Sequence, residues 1–174
     1  TPSVYHNRSG VFPLVKGALL AWGWKVYRTE ASVSPLSVRA FPGYPALMVG
    51  VFLHASLGLF LLVAVPALAL VGLLGFFRPL PSRFYAFLRG VAWVAILQVL
   101  LGFLLFLQGL RPKDGLHLLY GLLLAAGLHY LGGLEPGGWF YRGLKDPPKR
   151  PELFVALGLL FCVGLVLRVY LTGR

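Results

Sequence analysis

The stretch that decides the fold is residues 51–72, VFLHASLGLFLLVAVPALALVG, an apolar run without a charged side chain. About 20 apolar residues in a helix match the roughly 30 Å hydrocarbon core of a bilayer. Three further apolar runs follow, so the sequence predicts spans at about residues 44–77, 84–110, 116–134 and 152–171. The first predicted span is longer than a bilayer requires, and Pro66 is its expected kink point.

The composition supports a membrane protein. Of the 174 residues, 58% are hydrophobic and 12% are charged, whereas about 25% of residues are charged in soluble domains. The net charge of +11 does not point to nucleic acid as a partner, because no basic stripe interleaved with aromatics is present. The basic residues stand between the apolar runs, where they set topology and meet anionic lipid headgroups. We therefore expect the lipid bilayer as the main partner.

The connections between the runs predict the architecture. Residues 78–83 and 111–115 are short turns, which force the first three spans to be antiparallel neighbours. The predicted fold is therefore all-α, an up-down four-helix transmembrane bundle over residues 44–174. Residues 1–43 are expected to form an N-terminal interfacial segment and connector, because Lys16 interrupts the apolar part of residues 11–27.

Basic residues are divided unevenly between the two ends of the predicted bundle. The loops after the first and third spans hold Arg78, Arg83, Arg89, Arg142, Lys145, Lys149 and Arg150. The opposite end holds Arg111, Lys113, Arg168 and Arg174, in addition to residues 1–43. With residues 1–43 taken as peripheral, the positive-inside rule puts both termini outside the plasma membrane of a bacterial cell. The excess of Arg over Lys hints at a thermophilic source.

Polar side chains within apolar spans are the candidate functional residues, because burying them in lipid is costly. They are His54, Gln98, Gln108, His117, His129 and Arg168. Arg168 is close enough to the end of its span to reach the interface. The one cysteine, Cys162, is expected to be a small buried side chain. A single cysteine excludes disulfides and Cys-based metal sites within the chain.

His54 and His117 stand near the start of the first and third spans, on helices that run in the same direction. Their expected depths in the bilayer differ by only roughly 7 Å. Two imidazoles on facing helices of a four-helix bundle can provide the axial ligands of a six-coordinate b-type heme. The sequence therefore predicts heme b with His54 and His117 as its metal ligands.

Further residues are expected to complete this site. Gly58 and Gly121 each follow a histidine by one turn, and their missing side chains leave room for a flat macrocycle. Arg111 stands at the membrane edge, where a heme propionate would find a cation. Gln98 is open to two interpretations, a hydrogen bond between helices or contact with a cofactor or quinone.

A third histidine leaves an alternative open. His129 is twelve residues after His117, roughly 18 Å further along the helix, so these two cannot share one metal. His129 is therefore an alternative partner for His54. The two H-x-x-x-G elements form a weak internal repeat, and the partner helices end in related segments, residues 108–111 and 171–174. This repeat is consistent with pseudo-twofold symmetry.

Residues 53–134 resemble one half of the heme A synthase family. The shared elements are a helix led by His54, a basic turn, the motif Q-x-x-L-G at residues 98–102, and a second helix led by His117. The resemblance implies a b-type heme on the two histidines, with the histidine ends outside. Unlike the family, this chain has room for one bundle, and Val51 stands where the family has a glutamate, so oxygenation of heme is not implied.

The chain also resembles uncharacterised small bacterial membrane proteins that share two motifs. These are R-P-x-D-x-L-H-x-x-Y-G, matched by residues 111–121, and a terminal R-x-x-x-T-G, matched by residues 168–173. This resemblance brings no function with it.

Two functional hypotheses follow from these residues. The first is a heme-binding electron-transfer protein within or beside a respiratory or photosynthetic complex, with quinone as a candidate partner. The alternative is a cofactor-free accessory subunit that uses the basic, aromatic residues 1–43 to contact partner subunits. No P-loop, nucleophile elbow or H-E-x-x-H motif occurs, and no broken helix pair marks a transport site.

Overall fold

A computed structural model describes residues 44–146 and 149–173, with side chains from residue 47 onwards. Within these ranges all regular elements are helical. The elements are α1 (Tyr44–Gly72) followed by a 3₁₀ turn (Leu73–Phe76), α2 (Ser82–Leu107), α3 (Leu116–Gly133), the short α4 (Trp139–Gly143) and α5 (Pro151–Gly173). Pro66 lies inside α1. The predicted interfacial segment, residues 1–43, lies outside the described residues.

Four of the described helices are long and apolar enough to cross a membrane, namely α1, α2, α3 and α5. Between 28% and 33% of the residues in the apolar stretch of each of these helices are buried within the protein. The outward faces carry large apolar side chains such as Phe52, which is 71% exposed, and Leu70, which is 70% exposed. These faces need lipid as their solvent, because so large an apolar surface is not stable in water. The protein is a multi-pass membrane protein, and the predicted four-helix transmembrane bundle is confirmed.

Each long helix packs against two others. α1 and α3 both contact α2 and α5, so α1 and α3 face each other diagonally across the bundle. Small buried side chains lie along these contacts, including Ala64, Ala92, Ala95, Ala125 and Ala156. Small residues let membrane helices approach closely, where dispersion contacts replace the hydrophobic effect as the main attraction.

The turn between α2 and α3 is closed by a Schellman motif. Gly109 has a φ of 87°, and its N–H donates to the carbonyl of Phe106 while the N–H of Leu110 donates to the carbonyl of Leu105. Leu105 and Leu110 are both buried in one cluster, which is the apolar contact that accompanies this motif. Just before α3, the carboxylate of Asp114 accepts a hydrogen bond from the N–H of Leu116 at 2.9 Å.

The opposite end of the bundle is held together by arginines. Arg89 on α2 forms an ion pair with Glu135, just after α3. Arg150, before α5, donates to the carbonyl of Phe76 at 2.9 Å and to that of Gly75 at 3.3 Å. A cation at the end of a helix stabilises the carbonyls that lack a partner within the helix. We call this the basic end, and we call the end where α1 and α3 begin the histidine end.

Candidate functional site

A cleft near the histidine end is lined by all four long helices. Its lining includes His54 from α1, Gln98 from α2, His117 from α3 and Val169 from α5. Most of the other lining residues are small or apolar. The cleft has a volume of about 80 Å³ and is partly open. Leu59, one of its lining residues, is 50% exposed.

The two histidines meet inside this cleft. The centroids of the His54 and His117 rings are 6.3 Å apart, and the ring planes are inclined at 62°. His54 is 7% exposed, and His117 is partly buried in the first turn of α3. α1 and α3 lie diagonally across the bundle from each other, and both side chains point into its interior. The structure therefore brings together the pair that the sequence singled out.

A backbone carbonyl orients the His117 imidazole. Nδ1 of His117 lies 2.9 Å from the carbonyl oxygen of Val169, and since a carbonyl only accepts, Nδ1 carries the proton. Nε2 is then the nitrogen with the free lone pair. Metal-binding histidines commonly donate their other ring N–H to a carbonyl in this way, which fixes both tautomer and orientation. His54 interacts with the backbone of Gln98 on α2.

Two glycines contact the imidazoles, and the sequence interpretation missed their role. A Cβ on Gly102 would lie 2.9 Å from Cε1 of His54, and a Cβ on Gly173 would lie 2.6 Å from Cε1 of His117. No carbon side chain fits at either place without displacing the ring. Each glycine lies four residues, about one turn, after the residue whose backbone contacts the same histidine, but only the structure shows which backbone that is.

Gly58 and Gly121 do line the cleft, but neither contacts the imidazoles. A Cβ on Gly58 would lie 3.1 Å from Nε2 of Gln98, and a Cβ on Gly121 would lie 3.7 Å from a methyl group of Val99. Gly58 therefore makes room for the Gln98 amide. Gln98 itself is 8% exposed, and its Oε1 has no hydrogen-bond partner among the described residues.

The remaining candidates lie outside the cleft. The guanidinium of Arg111 lies over the ring of Phe106, 5.8 Å from its centroid, and Arg111 does not line the cleft. His129 contacts Trp93 and Trp139, with centroid distances of 6.1 and 5.5 Å. His129 thus lies towards the basic end, so the alternative pairing of His129 with His54 is wrong.

Two further observations limit the chemistry of the cleft. Within residues 44–146 and 149–173, no group of three or more His, Cys, Asp or Glu side chains is placed to hold a metal ion. Cys162 is a free thiol, 1% exposed, in the core of the bundle. The donor set of the cleft is therefore two imidazoles, which suits a cofactor that brings its remaining ligands with it.

Comparisons with known proteins give no relative. No protein-family model, curated protein or solved structure matches the chain. The resemblance to half of heme A synthase and to small four-span bacterial proteins therefore stays a prediction from the residues.

Proposed function

We propose that the protein binds one b-type heme between His54 and His117 and serves electron transfer. The observation that carries this proposal is the 6.3 Å separation of the two ring centroids. A bond between a metal and an imidazole nitrogen is about 2.0 Å, and the centre of the ring lies about 1 Å beyond that nitrogen. Two opposed imidazoles on one iron therefore have centroids roughly 6 Å apart.

The surroundings of the histidines support the same assignment. The proton on Nδ1 of His117, held by the carbonyl of Val169, leaves the lone pair of Nε2 available for a ligand bond. Apolar residues such as Leu61, Leu124 and Val166 line the cleft. A heme bound here supplies a one-electron redox centre. The chain's own contribution would be to orient two imidazoles in a largely apolar site, which tunes the potential of such a centre.

The location of the cleft suggests how electrons would reach it. The cleft lies near the histidine end, and we place this end outside the plasma membrane, because the exposed basic side chains Arg78, Arg142 and Lys145 lie at the opposite end. Electron exchange would then take place with a partner subunit of a respiratory or photosynthetic complex, or with quinone in the outer leaflet.

One observation favours a second candidate function, a cofactor-free accessory subunit. The cleft of about 80 Å³ has room for only a few water molecules, so a macrocycle would have to extend beyond it. Without a cofactor, the His54–His117 contact simply packs two helices. Co-purification in mild detergent tests this candidate, because an accessory subunit brings partner subunits with it, whereas a stable monomer without partners argues against it.

Titration of heme into the purified heme-free protein tests the leading proposal. We expect saturation at one heme per chain, with the Soret shift of a low-spin iron. His54→Ala and His117→Ala should each abolish this low-spin form. His129→Ala is the matched control, since it removes an imidazole from the same helix as His117 but outside the cleft. Equal binding by all four proteins would refute the assignment of the ligands.

A further inference from the structure

Each of the two histidines contacts the backbone of a neighbouring helix and a glycine one turn further along that helix. His54 on α1 contacts the backbone of Gln98 and the glycine four residues later, Gly102, on α2. His117 on α3 contacts the carbonyl of Val169 and the glycine four residues later, Gly173, on α5. Each imidazole therefore lies against the backbone of the antiparallel helix that follows it in the chain.

We infer that Gly102 and Gly173 are positioning residues that set the planes of the His54 and His117 imidazoles. For His117, the carbonyl of Val169 also fixes the tautomer. The inference deepens the proposed function and rests on it where it concerns a bound heme. The positioning itself is a property of the chain without any cofactor. The two glycines hold their rings independently, because one lies on α2 and the other on α5.

The contact distances explain why glycine is required at these two places. A Cβ at 2.9 or 2.6 Å from Cε1 is far inside van der Waals contact, so an alanine must push the ring aside. The imidazole is the movable partner, because its ring turns about single bonds, whereas Gly102 lies within α2 and Gly173 is the last residue of α5. A displaced His117 ring loses the alignment of its Nδ1–H with the carbonyl of Val169. A displaced ring of either histidine also changes the direction of its ligand nitrogen.

The repeat also shows that the pseudo-twofold relation has a different register from the one the sequence suggests. Aligning residues 108–111 with residues 171–174 pairs Leu110 with Gly173. The structure instead places Gly102 and Gly173 in equivalent positions against the histidines. The connection from α3 to α5 contains α4 and is longer than the turn from α1 to α2. The spacing from histidine to glycine therefore differs between the halves.

Four single alanine variants test the inference. Gly102→Ala and Gly173→Ala introduce the clashing Cβ. Gly90→Ala and Gly164→Ala are matched controls on the same two helices, because a Cβ at either place meets no described atom within 4 Å. The first measurement is ¹⁵N NMR of the histidine rings in heme-free protein. We expect the His54 signals to move in Gly102→Ala only, and the His117 signals to move in Gly173→Ala only.

A second measurement reads the same variants with heme bound. The angle between two axial imidazole planes controls the anisotropy of the low-spin ferric electron paramagnetic resonance signal. The inclination of 62° leads us to expect one large g value in the wild type, and a changed g value in Gly102→Ala and Gly173→Ala but not in the controls. If the wild type binds no heme but the ring signals still move in NMR, the heme proposal fails and the positioning role stands.

A double variant distinguishes a clash with the imidazole ring from a general loss of folding. Removing the ring also removes the clash, so Gly173→Ala should lower the melting temperature in the wild type but much less in a His117→Ala background. The same holds for Gly102→Ala with His54→Ala. Melting losses that are equal in both backgrounds, or ring signals that respond no more than in the controls, would overturn the inference.

Discussion

The side-chain nitrogen of Gln98 lies against Gly58, 3.1 Å from the place where a Cβ on that glycine would be. This contact explains why a glycine stands at position 58, one turn after His54. A bound macrocycle is not needed to explain it. The other polar atom of this amide, Oε1, has no hydrogen-bond partner among the described residues, although Gln98 is only 8% exposed. Gln98 therefore fills space between α1 and α2 at the cost of an unsatisfied acceptor.

Replacing Gln98 by methionine should not destabilise the heme-free protein. The change keeps an unbranched chain of similar length and removes a buried carbonyl, so we expect a gain of about 1 kcal/mol in the free energy of unfolding. Thermal melting in detergent measures the effect, with Gln108→Met at the exposed end of α2 as the control. A clear loss of stability in Gln98→Met would show that the amide is hydrogen-bonded, for example through water.

Gly109 should be sensitive to substitution because its φ of 87° is unfavourable for a residue with a Cβ. Gly109→Ala is expected to cost about 1 kcal/mol by straining the Schellman motif that ends α2. Gly115→Ala is the control in the same turn, since Gly115 has a φ of −62° and a Cβ there meets no described atom within 4 Å. Equal melting temperatures for the two variants would contradict this account of the turn.

The ion pair between Arg89 and Glu135 should couple the ends of α2 and α3. The two side chains are 40% and 18% exposed, so solvent weakens the attraction and we expect a coupling free energy of about 0.5–1 kcal/mol. A double-mutant cycle of Arg89→Gln and Glu135→Gln measures it directly. Strictly additive effects of the two substitutions would mean that the pair contributes nothing to stability.

The orientation of the bundle can be tested with single cysteines. Cys162 is buried and can be replaced by alanine in the background protein. On intact cells, a membrane-impermeant maleimide should then label Lys113→Cys at the histidine end but not Lys145→Cys at the basic end. Labelling of Lys145→Cys alone would reverse the proposed orientation and place the cleft near the cytoplasm.

The sequence was sufficient to predict the bundle because its physical signals are local. An apolar run long enough to cross a bilayer identifies a span, and the short turns before α2 and α3 leave only antiparallel neighbours. The pairing of His54 with His117 follows from the same reasoning, because both residues stand near the start of helices that run in one direction. The structure places their rings in one cleft.

The sequence was insufficient for the contacts between helices. Which residue faces an imidazole depends on how far one helix slides along another, and that is decided by packing over the whole interface. Spacing along one helix indicates Gly58 and Gly121, which share helices with the histidines. The glycines that contact the rings, Gly102 and Gly173, lie on neighbouring helices. The expected role of Arg111 depended in the same way on a side-chain direction, and this side chain lies over Phe106.

The absorption spectrum of the protein purified from membranes, oxidised and then reduced with dithionite, is the most direct test of heme binding by His54 and His117. We predict a Soret band that sharpens on reduction together with the α-band of a low-spin b-type heme, and the loss of both in His54→Ala. A spectrum without these bands, or bands that persist unchanged in His54→Ala, would contradict the central claim.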